Sequence, residues 1–167
     1  LIEIIESTIQ NNKTIYVIGN GGSASTASHI KSDLSNTVGY LKGMRVNVSC
    51  LSDNIATITA IANDYSYDLI YKKQLEGRIN QGDLVIAVSG SGNSQNIIKA
   101  ADYAKSVRAN IVAMTGYDGG KLKGLAGFNL HVPIDNMQIS EDVHLIFNHL
   151  ITYILNCSNK GVSYDCE

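Results

Sequence analysis

Apolar residues fall into two alternating patterns along this chain. Short unbroken apolar runs are closed by glycine or a polar turn, and longer stretches carry apolar residues three and four apart. The short runs are TIYVIG (14–19), MRVNVSC (44–50), DLVIAVS (83–89), NIVAMTG (110–116) and FNLHVP (128–133). They read as strands, and DLVIAVS is the clearest because Gly82 and Gly90 bound it. The longer stretches read as helices: LIEIIESTIQ at residues 1–10, GSASTASHIKSDLSN, NIATITAIAN, YDLIYKKQLEGRI, SQNIIKAADYAKSVR and the short KLKGLAG. SEDVHLIFNHLITYIL (140–155) closes the domain as a long helix. Ser140 is its expected N-cap, with Glu141 and Asp142 beside the positive end of the helix dipole. The periodicity fades after residue 155, so residues 1–155 are expected to form one domain and 156–167 a tail.

Strands that are apolar on both faces and alternate with helices predict an α/β domain. Right-handed crossovers make it a doubly wound, three-layer αβα sandwich around a parallel sheet. Ligands in such sheets bind beyond the carboxyl ends of the strands. The loops that matter therefore follow Ile18, Cys50, Val88 and Thr115.

Composition narrows the function classes. The 167 residues are 44% apolar and 17% charged, which fits a globular domain and excludes a disordered chain. No apolar run is long enough to cross a membrane. A net charge of −2 leaves no footprint for bulk nucleic-acid binding. The three cysteines (Cys50, Cys157, Cys166) form no C-x-x-C pair, which points to a reducing, cytoplasmic setting without zinc ribbons or disulfides. The first ten residues have neither the basic region nor the cleavage site of a secretory signal.

Two loops carry phosphate chemistry. Gly19-Asn20-Gly21-Gly22-Ser23 follows the first strand, and Ser89-Gly90-Ser91-Gly92-Asn93-Ser94 follows the third. Each joins a strand to a helix start, where unpaired N–H groups and the dipole favour an anion. One helix cap needs one hydroxyl, so three serines in six residues point beyond capping to a phosphate. Neither loop holds a lysine, which disfavours a nucleoside triphosphate, and neither matches the dinucleotide fingerprint.

Titratable groups gather on two helices. His29 and Asp33 share a helix face, for which a solvated polar stripe is the plain reading. On the last helix, His144 and His149 point about 140° apart and are not expected to share a site. His149 lies among Phe147, Leu150 and Ile151, where a core histidine is the usual outcome. Glu141 lies eight residues before His149, so the two can line one groove. His131 is expected to pack or cap. Asn63-Asp64 reads as a turn or as a hydroxyl-binding pair.

Taken together, GNGGSASTASH, the Asn63-Asp64 pair, SGSGNS, MTGYDGGKL and the E-x7-H of the last helix resemble the sugar-isomerase (SIS) domain. More closely, the chain resembles the bacterial phosphoheptose isomerases, which interconvert sedoheptulose 7-phosphate and D-glycero-D-manno-heptose 7-phosphate through an enediol. The resemblance spans residues 1–155, without the N-terminal helix that the family carries. It implies a flavodoxin-like, five-stranded parallel sheet in the order 2-1-3-4-5, and a homotetramer with active sites between subunits. It implies that Asn20, Gly21 and Gly22 touch the sugar phosphate, and that Ser89, Gly90, Ser91 and Ser94 hold the phosphate. Asn63 and Asp64 would bind hydroxyls, and His149 and Asp33 would share the acid and base roles, with Glu141 as an alternative carboxylate. A zinc ion on His29, Asp33, Glu141 and His149 would polarise the carbonyl oxygen. No nucleotide cofactor is implied. The pathway implied is the supply of heptose for lipopolysaccharide or capsule.

Two positions depart from the family pattern: Asp33 stands for its glutamate and Glu141 for its glutamine. The shorter Asp33 draws its carboxylate back by about 1 Å, a displacement that can cost about a hundredfold in rate. The alternative function is that of non-catalytic SIS proteins, which bind the replication initiator DnaA or sense a phosphosugar. Acids retained at 33 and 141 speak against a degenerate site.

Overall fold

A computed structural model describes residues 1–38, 43 and 45–157. The elements in chain order are α1 (Ile2–Gln10), β1 (Ile15–Gly19), α2 (Gly22–Ser32), a π-helical segment (Asp33–Val38) and β2 (Val48–Cys50). Next come α3 (Ile55–Asp64), a 3₁₀ turn (Tyr67–Leu69), α4 (Ile70–Leu75), β3 (Leu84–Ser89) and α5 (Gln95–Ser106). The chain closes with β4 (Asn110–Thr115), α6 (Gly120–Leu125), β5 (Phe128–His131) and α7 (Met137–Cys157). The five strands form one sheet in the order β2-β1-β3-β4-β5, and every pairing is parallel. This is the expected doubly wound topology, and it gathers the loops after β1 and β3 at the carboxyl edge.

Strand alternation builds two cores. Tyr16, Ile18, Val85, Ala87, Ile111 and Ala113 face α4 and α5. Ile15, Val17, Leu84, Ile86, Val88, Val112 and Met114 face the other way, onto Ile5 and Ile9 of α1 and Ala27 and Ile30 of α2. The period of two along each strand sends alternate residues to opposite layers.

Several boundaries differ from expectation. The second strand begins at Val48 rather than Met44, because Ile15 is the first residue of β1 and pairs with Val48. The Asn47 carbonyl still accepts from Ile15 N at 2.9 Å, and residues 45 and 46 precede the paired register. The helix expected over 67–79 is a 3₁₀ turn followed by α4, and Gly77 at φ 74° turns the chain after it. The helix through SDLSN leaves α geometry at Asp33 and widens into the π segment. Residues 158–167, most of the expected tail, lie outside the described residues, and Asn156 and Cys157 still belong to α7.

The last helix starts earlier than its sequence signal and is turned the opposite way. Asn136, not Ser140, caps it: the Asn136 Oδ1 accepts from Ile139 N at 3.0 Å. Ser140 is fully buried one turn in, and its Oγ donates to the Asn136 carbonyl at 2.8 Å. The fully or nearly fully buried residues of α7 are Ser140, His144, Asn148, Thr152 and Leu155. Its inward stripe is thus largely polar, while Ile139, Ile146, Leu150 and Tyr153 are exposed.

His144 is the titratable member of that stripe. Neither ring nitrogen has a hydrogen-bond partner within bonding geometry, although the Thr115 backbone lies close enough to favour the charged ring somewhat. Burial dominates and pushes its pKa below the ordinary 6.5, with His131 adding in the same direction. The folded state therefore resists protonation more than the unfolded chain does. The stability held by neutral His144 is complete above its ordinary pKa and is lost as pH falls through its lowered one. We expect wild-type Tm to drop as pH falls below the ordinary 6.5, and His144→Leu to remove part of that drop. Thermal melts across that fall in pH check it, and parallel curves for the two proteins would exclude His144 as the titrating group.

Candidate active site

The serine loop leaves β3 at Ser89 and reaches α5 through a tight turn. Gly92 N donates to the Ser89 carbonyl at 3.0 Å, and Asn93 N donates to Ser91 Oγ at 3.2 Å. Ser94 stands at the N-cap position of α5 but makes no side-chain cap bond, so its hydroxyl is not spent on the helix. Ser89, Gly90, Ser91 and Ser94 line one cavity of about 150 Å³ together with Asn20, Ser23, Val88, Met137 and Glu141. The two loops predicted from sequence thus converge on one small polar pocket. A wider cleft of about 660 Å³ opens beside it, lined by Asn93, Tyr117, Asp118, Pro133 and Asp135, and shares Ser91 and Met137 with it.

Among the described residues, no lysine or arginine lines the small pocket. An anion there would be held by N–H groups, hydroxyls and the α5 N-terminus. The one ionisable group in the wall is Glu141, whose carboxylate lies against Gly22, the first residue of α2. A Cβ at position 22 would run into that carboxylate, so glycine is what lets α7 bring Glu141 this close.

Asn20 is less available than expected. Its side chain exchanges hydrogen bonds with Asn96, donating to Asn96 Oδ1 at 2.9 Å and accepting from Asn96 Nδ2 at 3.0 Å. Asn20 Oδ1 also accepts from the Tyr67 hydroxyl at 3.2 Å and the Tyr71 hydroxyl at 3.1 Å. Tyr71 and Ser52 further bind the Gly19 carbonyl. Sequence reasoning missed this brace. Its members come from four separate segments, and Asn96 is almost completely buried. The brace fixes the first loop and engages both polar ends of the Asn20 side chain, which still lines the small pocket.

The titratable cluster lies where α2 and α7 pack. His29 Nε2 is 3.4 Å from Asp33 Oδ2, and the His29 and His149 rings meet edge to face with centroids 5.1 Å apart. His29 and His149 are exposed and Asp33 is half-buried. His149 is not a core histidine, and His29, exposed as a solvated face predicts, and the half-buried Asp33 are its neighbours. Ligand atoms of His29, Asp33 and His149 lie within 4.8 Å of one another. Two imidazoles and one carboxylate are a donor set that suits zinc with one position left open. Glu141 is not part of this group. It lies about 12 Å back along the helix axis, at the phosphate-loop end.

Two other expectations resolve simply. His131 Nδ1 is paired with Thr115 Oγ1 at 3.0 Å, at the ends of β5 and β4. Asn63 and Asp64 are the last residues of α3, exposed and bonded to each other at 2.9 Å, and they line neither cavity.

Comparison with known proteins bears on family and fold. The SIS domain family matches residues 1–116. A phosphoheptose isomerase of Aliarcobacter butzleri is 36% identical over 156 residues, covering 92% of this chain and 81% of that protein. The solved phosphoheptose isomerase of Francisella tularensis superposes with a TM-score of 0.87 at 29% identity, over 93% of this chain and 82% of that one. That of Neisseria gonorrhoeae gives a TM-score of 0.85 at 29% identity, with the same coverage of both chains.

Proposed function

This chain belongs to the SIS domain family and, within it, to the phosphoheptose isomerases, and we propose that it interconverts sedoheptulose 7-phosphate and D-glycero-D-manno-heptose 7-phosphate through an enediol. The observation that carries the reading is the layout of the α2–α7 seam. A lysine-free serine pocket stands at one end, and His29, Asp33 and His149 stand together at the other. The reacting carbons of a heptose 7-phosphate lie at the far end of the sugar from its phosphate, which matches that separation. The mutual proximity of His29, Asp33 and His149 favours an isomerase over the non-catalytic relative.

The reaction moves a proton between adjacent carbons and needs a base beside them and an acid for the oxygens. In our reading, the serine hydroxyls and N–H groups of Ser89, Gly90, Ser91 and Ser94 hold the phosphate and so orient the sugar. His149 and Asp33 share the proton transfers at the carbonyl end. Gly21 and Gly22 let the first loop approach the sugar phosphate. Glu141, given its place beside Gly22, is read as a partner for a sugar hydroxyl near the phosphate end rather than as the base. Asn63 and Asp64 are read as a hydroxyl-binding pair contributed at a subunit boundary. A zinc ion, when bound by His29, Asp33 and His149, would polarise the carbonyl oxygen.

The same reading covers assembly and setting. Ile139, Ile146, Leu150 and Tyr153 form an exposed apolar stripe at helical spacing on α7. A stripe of this kind marks a contact surface, and it supports a homotetramer whose active sites lie near the interface, since His149 precedes Leu150. Among the described residues no helix is long and apolar enough to cross a membrane. Our reading places the enzyme in the cytoplasm, supplying heptose for surface polysaccharide.

Proton NMR in D₂O with sedoheptulose 7-phosphate, with and without zinc, tests the proposal. Deuterium entering the carbon next to the carbonyl, with aldose appearing, is the expected result. An unchanged ketose spectrum under both conditions would overturn it.

A further inference from the structure

We infer that Asn148 is a positioning residue that holds the Asp33 carboxylate in its working orientation. The inference rests on the reading of Asp33 as a reacting group. Asn148 is 1% exposed, and its Nδ2 donates to Asp33 Oδ2 at 2.7 Å. The carboxylate can only accept, so the amide nitrogen is the atom that faces it. The length is that of a charge-assisted bond. The same Oδ2 is the atom 3.4 Å from His29 Nε2.

Asp33 has reason to need a tether. It opens the π-helical segment, and its side chain is only 18% exposed. An aspartate has three staggered χ1 wells, and rotation out of the present one would carry the carboxylate away from His29. Its side chain is also one methylene shorter than glutamate, so a small error in direction is not absorbed by length. Asn148 belongs to the buried polar stripe of α7 and directly precedes His149. One helix register therefore brings His149 to His29 and, in the same step, Asn148 to Asp33. This is the function of a polar residue that α7 would otherwise bury at a cost.

The test pairs kinetics with structure on Asn148→Leu, which keeps the shape and removes the donor. We expect kcat with sedoheptulose 7-phosphate to fall about ten- to a hundredfold and KM to change by less than about twofold, because the phosphate pocket is at the other end of the seam. A merely structural role would instead lower Tm and raise KM along with any loss in kcat. In a crystal structure of the variant, the Asp33 carboxylate should leave its place beside His29 Nε2. Asn148→Ala gives the same readouts should the leucine not pack. A kcat within about threefold of wild type, or an unmoved Asp33 carboxylate, would overturn the inference. If the wild type does not isomerise the sugar, the functional reading fails, and the position of Asp33 in the variant still decides the role of Asn148.

Discussion

Replacing His149 by glutamine is expected to lower kcat by about 10²- to 10⁴-fold while leaving the affinity for inorganic phosphate unchanged. The range is the usual worth of one positioned acid or base. The prediction is clean because His149 is exposed and carries no buried packing, so its loss should move stability by no more than about 0.5 kcal/mol. The small pocket proposed for the phosphate is lined by Ser89, Gly90, Ser91 and Ser94 and not by His149. Glutamine keeps a polar tip at nearly the same reach but cannot exchange a proton near neutral pH. Steady-state kinetics, thermal melts and phosphate titration together check it. Turnover within about threefold of wild type would remove His149 from the chemistry and pass its role to Asp33 or His29.

The sheet was legible in the sequence because its signal is local. TIYVIG and DLVIAVS are apolar on both faces and end in glycine or serine at the carboxyl edge, so strand, layer and functional loop are read from a few neighbouring residues. The serine loop was legible for the same reason. The orientation of α7 was not, because the reading of amphipathic helices assumes that the apolar face turns inward. Here Ser140, His144 and Asn148 turn inward, while Ile146 and Leu150 turn out. A helix that leaves Ile139, Ile146, Leu150 and Tyr153 exposed breaks that assumption, and its start at Met137 puts Ser140 one turn inside rather than at the cap.

The supports of the site were illegible for a different reason. Asn148 meets Asp33 across 115 positions, and Asn20 meets Asn96 across 76. No spacing rule reaches that far, since such pairs exist only once the layers have packed. The acids and histidines themselves were visible as residue types. The family resemblance implied that His29, Asp33 and His149 come together, which spacing alone did not, and neither showed that Glu141 stays apart beside Gly22. That division depends on the register of α7 against α2.

Gly92→Ala is expected to raise KM for the sugar phosphate by about tenfold or more and to lower Tm by roughly 2–4 °C for each kcal/mol lost, with kcat at saturation much less affected. Two independent costs act at this position. Gly92 has φ 61°, where an L residue is strained, and a Cβ there would meet the backbone of Gly119 and Gly120. The second cost is the larger because no rotamer relieves it. Position 22 differs, since the atoms in the way there belong to the mobile end of Glu141. At Gly92, relief requires the two loops themselves to part. They are stitched by Leu122 N donating to the Gly92 carbonyl at 3.0 Å, Gly116 N to the Gly90 carbonyl at 2.8 Å and Lys121 N to Asn93 Oδ1 at 3.2 Å. Parting them would swing Ser91 and Ser94 away from each other and spoil the anion pocket that both must line. The reacting end of the seam, on α2 and α7, would keep its geometry, which is why the loss should appear in KM first. A KM within about twofold of wild type would mean that the phosphate does not depend on this loop, and would move the anion site into the wider neighbouring cleft.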